Sequence, residues 1–322
     1  MTFARIAGTG GYLPERVLTN EDLEKMVDTS DEWIRERSGI KRRHIAAEDE
    51  SASDMAVAAA RKAIQAADIS TNDIDLIIVA TTTPDKVFPS TACIVQRRLE
   101  LEKIPAFDVQ AACSGFIYAL DIASRFIQTK GATTVLIVGS EVMSRLVDWT
   151  DRSTCVLFGD GAGAVILQAS DKPGVISSHI HSDGKYEELL HVPAGISTGF
   201  GDVQREAAFI HMKGHEVFRK AVNSLGAIAR ETLAGNDIDQ KDLTWLVPHQ
   251  ANLRIIKAAA KKLALPMERV VVTVDEHANT SGASIPLALD VAVRDGRIQR
   301  GDILLFEAFG AGFTWGSALV RY

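Results

Sequence analysis

Apolar residues in this chain come in short, nearly unbroken runs rather than in strict alternation. Leu76-Ile77-Ile78-Val79-Ala80, Val135 to Val138, Trp245-Leu246-Val247, Val270 to Val274 and Ile303 to Phe306 all read this way, and a further run ends near Gln110. Such runs predict strands buried on both faces, as in a parallel sheet covered by helices. Between them lie stretches of helical period. These are roughly Ala52 to Ala67, Ser90 to Glu100, the segment after Gly115, Asn252 to Leu263 and the segment after Pro286. Val192 to Arg205, glycine-rich and poor in periodic apolar positions, reads as a mobile lid or a connection.

The order of elements occurs twice. Ala60-Arg61 recurs as Ala229-Arg230, Asp68-Ile69 as Asp237-Ile238, and Ala119-Leu120-Asp121 as Ala288-Leu289-Asp290, each at a shift of 169 positions. One fixed offset over this length points to an ancient duplication. The expected fold is therefore α/β: a duplicated body of five layers, α/β/α/β/α. Residues 1–171 and 172–322 are the expected halves. Ligands of open α/β sheets bind at strand ends, so the chemistry should sit where the halves meet.

Composition narrows the classes. At 322 residues, 46% hydrophobic and 24% charged, the chain has material for about two ordinary domains. A net charge of −7 disfavours a nucleic-acid partner, which needs a concentrated basic face. No start resembling a signal peptide and no membrane-spanning apolar run is present, so a cytoplasmic protein without a membrane partner is expected. Three widely spaced cysteines, Cys93, Cys113 and Cys155, make no disulfide framework, and the absence of CxxC and HExxH argues against metal. His179-x-His181 alternates along an expected strand.

Three residues close expected strands or follow them directly: Cys113, His249 and Asn279. Cys113 precedes Ser114-Gly115 and a helical run. At a helix N-terminus the unpaired N–H groups and the dipole favour thiolate, so its pKa is expected below the ordinary value of about 8.5. The bland alternatives are a small buried thiol, a satisfied core histidine and a turn-capping asparagine. Cys93 and Cys155 read as packing residues. If the three act together, His249 and Asn279 aim two donors at one oxygen, which suits an enolate better than water activation. A cysteine hydrolase is the rival class. The glycine stretches Gly8-Thr9-Gly10-Gly11 and Gly159-Asp160-Gly161-Ala162-Gly163 are not G-x-G-x-x-G leading into a helix, so close backbone packing is expected rather than a phosphate loop.

Several motifs in order then resemble one family across essentially the whole chain. They are Gly8-Thr9-Gly10, Asp28-Thr29-Ser30-Asp31-Glu32-Trp33-Ile34, Ala112-Cys113-Ser114-Gly115-Phe116, Phe158-Gly159-Asp160-Gly161-Ala162-Gly163, Pro248-His249-Gln250-Ala251-Asn252 and Phe313-Thr314-Trp315-Gly316. The sequence resembles the β-ketoacyl-acyl-carrier-protein synthase III family of thiolase-superfamily condensing enzymes. The resemblance implies a thiolase-like duplicated fold, a homodimer, a Cys113–His249–Asn279 site, acyl-coenzyme A and malonyl-acyl-carrier protein as substrates, and no cofactor. It further implies an oxyanion hole from the Cys113 and Ala311 N–H groups, with Ala311 standing where many relatives have glycine. Coenzyme A contacts fall on Trp33, Arg37, Arg152 and Asn252. The acyl pocket falls on Met143, Phe158, Leu190 and Ile210, with Phe88 from the partner subunit. Arg254, Lys257 and Lys261, at helical spacing with Lys262 adjacent, form a basic stripe suited to an acidic carrier protein.

Overall fold

The computed structural model describes residues 2–198 and 208–322. Its first sheet contains β1 (Phe3–Tyr12), β2 (Leu76–Ala80), β3 (Ala106–Val109), β4 (Thr134–Glu141) and β5 (Gly161–Ser170), in spatial order β1-β5-β4-β2-β3. The second contains β6 (Val175–Ser182), β7 (Trp245–Pro248), β8 (Ile303–Gly310) and β9 (Thr314–Arg321), in order β6-β9-β8-β7. The apolar runs pair in parallel, β4 with β2, β2 with β3 and β7 with β8. An antiparallel pair closes the other side of each sheet, β1–β5 and β6–β9.

Five layers result, as expected. Helices α2 (Ala52–Ala67) and α3 (Thr91–Arg98) cover the outer face of the first sheet, after α1 (Asp31–Ser38). Helices α4 (Gly115–Gln128) and α7 (Ser284–Arg294) lie between the sheets. Helices α5 (Gly214–Ala234) and α6 (Leu253–Lys262) cover the outer face of the second. The middle core joins Phe116, Ile117 and Leu120 of α4 to Ile285 and Leu289 of α7 and to Phe306 of β8. At about 25 cal/mol per Å2, burying side chains of this size contributes roughly 1.5–3 kcal/mol each.

The 169-residue offset holds to the single turn. The 3-10 turns Thr71–Asp73 and Gln240–Asp242 are mates, and so are Ala112–Ser114 and Ser281–Ala283. Asp121 and Asp290, both buried, each bind an arginine one turn on (Arg125, Arg294) and a hydroxyl from the edge of a sheet (Ser178, Thr9). Those hydroxyl residues are themselves 169 apart.

Two boundaries differ from the sequence reading. Val270 to Val274 is no strand: beyond one bridge from Val270 to Leu246, the Thr273 and Val274 N–H groups bind the Gln250 carboxamide, at 2.8 and 3.1 Å, and Val274–His277 turns helical. Helix α7 starts at Ser284, before Pro286, because a first-turn proline forfeits no intrahelical bond. The glycines behave as packing residues. A Cβ on Gly8 would lie 2.4 Å from the Ala63 carbonyl oxygen, so β1 meets α2 only through glycine. The stretch Val192 to Arg205 lies outside the described residues from 199 onward.

Candidate active site

Each half contributes one end of a strand and the turn that follows. After β3 the chain makes the turn Ala112–Ser114 and enters α4 at Gly115. Ala112 takes the left-handed conformation (φ +46°), which puts Cys113 at the crest. The Ser114 hydroxyl donates to the Thr314 carbonyl at 3.0 Å, and the Thr314 hydroxyl donates to the Ala111 carbonyl at 2.9 Å, pinning this turn to the chain after β8. Gly310 permits that approach, since a Cβ there would stand 2.7 Å from the Cys113 nitrogen.

His249 follows β7, and its N–H donates to the Glu307 carbonyl at 2.8 Å. Its Nδ1 lies 2.6 Å from the Ser284 hydroxyl oxygen, which also accepts the Gln250 N–H at 3.3 Å. Burial pushes the imidazole pKa down to about 3, so the ring is neutral at physiological pH. Asn279 is held through its backbone, which bridges Phe158, and through Oδ1, which accepts the Ser281 N–H at 2.9 Å. With Oδ1 occupied, the Asn279 Nδ2 donors are the free end of the amide. Cys113, His249 and Asn279 line one cavity of about 1280 Å3, together with Ala311.

The thiol corrects one expectation. Its pKa is not lowered; burial pushes it up to about 12. The Ser281 side chain works in the opposite direction, while the nearby Glu141 carboxylate adds to the rise. Helix α4 begins two residues after Cys113, and burial of the thiol is the largest influence on it.

The cavity also gathers Met143, Phe158, Leu190 and Ile210 at its apolar wall, and Trp33, Arg37 and Asn252 along its length. Phe88 lies elsewhere, 83% exposed beside exposed Val87. The Arg152 guanidinium rests over the Trp33 ring at 5.0 Å and donates to the Asp28 carbonyl at 2.7 Å. A flat base needs a gap of two stacking distances, so a Trp33–Arg152 slot requires Arg152 to swing aside. Asn252 caps α6: its Oδ1 accepts the Arg254 N–H and its Nδ2 donates to the Arg37 carbonyl. Arg254, Lys257 and Lys261 are exposed on α6, with Arg254 over the Phe218 ring at 5.3 Å. Lys262 is committed differently: its stem packs on Gly226 and its ammonium donates to Asn223 at 3.0 Å.

Of the three cysteines, all free, Cys93 is half-buried and Cys155 buried. His179 and His181 share Glu231 on the strand they were expected to form. Sequence reasoning missed Glu141, Ser281, Ser284 and Gly310. A glutamate ending an otherwise apolar strand was the one local signal for Glu141.

Comparison with known proteins decides the family. Residues 107–184 match the family described as 3-oxoacyl-[acyl-carrier-protein (ACP)] synthase III, and residues 233–322 match its C-terminal part. A β-ketoacyl-[acyl-carrier-protein] synthase III of Thioalkalivibrio sulfidiphilus is 65% identical over 322 residues, covering 100% of both chains. This chain belongs to the β-ketoacyl-[acyl-carrier-protein] synthase III family. A family member from Methylococcus capsulatus is 63% identical over 320 residues, covering 99% of each chain. The solved 3-oxoacyl-[acyl-carrier-protein] synthase III of Aquifex aeolicus superposes with a TM-score of 0.93 at 49% identity, covering 99% of this chain and 100% of its own. The family assignment agrees with the resemblance read from the motifs, and the likeness to solved members agrees with the layered thiolase fold.

Proposed function

We propose that this enzyme carries out the decarboxylating condensation of an acyl-coenzyme A with malonyl-acyl-carrier protein, giving 3-oxoacyl-acyl-carrier protein, coenzyme A and carbon dioxide. This step starts type II fatty-acid synthesis. The observation that carries the reading is one cavity wall bearing a thiol, a neutral imidazole and a carboxamide whose oxygen is already occupied. A triad built for hydrolysis needs its histidine as a base; an imidazole this hard to protonate serves better as a donor.

The Cys113 sulfur attacks the thioester carbonyl, and the N–H groups of Cys113 and Ala311 hold the tetrahedral oxyanion. One such donor is commonly worth about 3 kcal/mol of barrier. Ala311 keeps a negative φ, because the positive φ of its loop falls on Gly312 (+132°), so alanine serves here as glycine would. Coenzyme A leaves as a thiol. Malonyl-carrier protein then loses carbon dioxide, and its enolate oxygen accepts hydrogen bonds from His249 Nε2–H and Asn279 Nδ2–H. The Ser284 hydroxyl accepts the Gln250 N–H and spends its own proton on His249 Nδ1, which leaves the imidazole proton on Nε2. The enolate carbon attacks the acyl-cysteine and frees the product.

Trp33, Arg37, Arg152 and Asn252 receive coenzyme A, with Arg152 moving off Trp33 as the base enters. Met143, Phe158, Leu190 and Ile210 enclose a short straight acyl group, acetyl first. The half-buried edge strand β3, with exposed Val87 and Phe88, suits a homodimer that carries Phe88 to the partner's pocket. Arg254, Lys257 and Lys261 dock the acidic carrier protein, with Lys262 bracing α6 behind them. The functional halves meet between residues 171 and 172, the reaction needs no cofactor, and it takes place in the cytoplasm.

The test is a panel of acyl-coenzyme A compounds, with mass spectrometry of the Cys113 peptide and of the malonyl-derived product. Acetylated Cys113 and a 3-oxobutanoyl carrier product are expected. Thioester cleavage without a new carbon–carbon bond would move the protein to the hydrolases.

A further inference from the structure

The loop that carries Asn279 is bent at two residues that resist the bend. Ala278 before it (φ +58°) and Ser281 after it (φ +49°) both hold a positive φ, which side chains larger than glycine's disfavour, so contacts from outside the loop must maintain its shape. Ser281 is the mate of Ala112, and these two left-handed residues open the same turn in the two halves. In the first half Thr314 pins that turn. In the second the pin comes from the opposite sheet. The Ser281 N–H donates to Asn279 Oδ1 at 2.9 Å, and the Ser281 hydroxyl donates to Glu141 Oε1 at 3.1 Å. Glu141, at the end of β4, is fully buried, and its Oε2 accepts the Thr82 N–H, the Thr82 hydroxyl and the Thr83 hydroxyl at 3.1, 2.9 and 2.8 Å. The Thr83 hydroxyl in turn accepts the Val142 N–H at 2.8 Å.

We propose that Glu141 is a positioning residue for Asn279, acting through Ser281, and that it serves the condensation half of the reaction rather than acyl transfer. Three donors from the chain after β2 fix Oε2, so Oε1 stands as a stationary acceptor at the edge of the second half. A carboxylate accepts more strongly than a neutral oxygen. It holds the Ser281 hydroxyl, the Ser281 N–H stays aimed at Asn279 Oδ1, and the Nδ2 donors keep one direction into the cavity. A donor fixed before charge develops on the enolate costs no reorganisation when it does. The duplication supports the assignment. The mate of Glu141 is Gly310, which admits the Cys113 turn of the first half, while Glu141 fastens the Ser281 turn of the second. Each strand end thus serves the turn contributed by the other half.

This inference rests on Asn279 being an enolate donor, and the experiment separates the two claims. Full-length wild type, Glu141→Gln, Ser281→Ala, Asn279→Ala and the two double variants that include Asn279→Ala are compared. One assay follows acetylation of Cys113 by acetyl-coenzyme A; the other follows condensation of pre-acetylated enzyme with malonyl-acyl-carrier protein. Glu141→Gln replaces one acceptor oxygen by a donor, so the side chain no longer accepts from both Ser281 and the threonines. In Glu141→Gln and Ser281→Ala the kcat of condensation should fall about 10-fold, with KM for the malonyl substrate unchanged. Acetylation of Glu141→Gln should stay near the wild-type rate. In the Asn279→Ala background neither change should cost more than about 2-fold, because the group they position is gone. A carboxylate with only a structural role slows both half-reactions alike, or adds its full penalty on top of Asn279→Ala. Either result overturns the role, as does condensation by Glu141→Gln at the wild-type rate. Should Glu141→Gln fail to fold, Ser281→Ala, which removes one hydroxyl and keeps the N–H that binds Asn279, decides by the same cycle. Condensation at the wild-type rate by Asn279→Ala alone would instead sink the reading of Asn279, and the positioning role with it.

Discussion

The two halves of the molecule share a backbone and divide the chemistry. Where the repeat needs stability the mates agree: Asp121 with Arg125 and Ser178 answers Asp290 with Arg294 and Thr9. Where the repeat meets the cavity the mates differ. Position 80 of the first half is alanine and its mate is His249; Gln110 pairs with Asn279, Cys113 with Gly282, and Glu141 with Gly310. In three of these four pairs the mate of the polar or reactive group is an alanine or a glycine. Gly310 lets the Cys113 turn approach, and any side chain longer than alanine at Gly282 would meet the Glu141 carboxylate, whose Oε1 lies 3.4 Å from a Cβ built there. Duplication supplies two equivalent strand ends, and catalysis requires that they stop being equivalent, because a nucleophile and its enolate donors cannot occupy the same positions twice.

The comparison breaks most visibly at the nucleophile. Cys113→Ser should abolish acyl transfer, since a buried hydroxyl is a far weaker nucleophile than a thiol; the acylated-peptide assay reads this directly, and residual acyl-serine turnover at the wild-type rate would refute the assignment. Next come the mated glycines. Gly310→Ala pushes a methyl within 2.7 Å of the Cys113 nitrogen and should cost about 100-fold in acylation by displacing an oxyanion donor, whereas Gly282→Ala meets only ordinary contacts at 3.4 Å and should remain near wild type. Comparable losses in the two variants would erase the division between halves. A smaller effect is expected of Asp121→Ala and Asp290→Ala, each destabilising by about 1–3 kcal/mol in denaturant unfolding, with similar values because the mates carry similar partners.

A last prediction concerns the second buried glutamate, which has no such network. Among the described residues both Glu307 oxygens lack a partner, and burial pushes its pKa up to about 8 from 4.5. Above the unfolded pKa the unfolded chain ionises while the native carboxyl keeps its proton, so stability falls as pH rises from about 4.5 and levels off beyond about 8. Glu307→Gln should therefore match wild type in acid and exceed it in melting temperature by a margin that grows toward pH 8. A margin independent of pH would show that the shift is absent.

Much of this was legible along the chain because it is local. The apolar runs gave strands, and Cys113 and His249 stand beside the strand ends that carry them. The thiol's acidity went wrong for the complementary reason. A helix dipole belongs to the few residues around Cys113, but desolvation, the largest influence on the thiol, belongs to everything packed over it. Arg152 was assigned a place across a base from Trp33, yet it folds onto the ring itself, held by an Asp28 carbonyl more than a hundred residues away. Lys262 looked like one more cation of a basic stripe until its stem was found against Gly226.

The chain alone determined the order of its elements, the doubling of that order and the candidate nucleophile, because periodicity, a constant offset and a reactive side chain are written in consecutive residues. Tertiary structure alone decided that Ser281 binds Glu141 at the edge of the cavity that holds Cys113, that Ser284 stands behind His249, and that burial raises the thiol's pKa. Those facts depend on contacts between residues as much as 140 positions apart and on the water that packing removes, and neither leaves a trace in the spacing of a sequence.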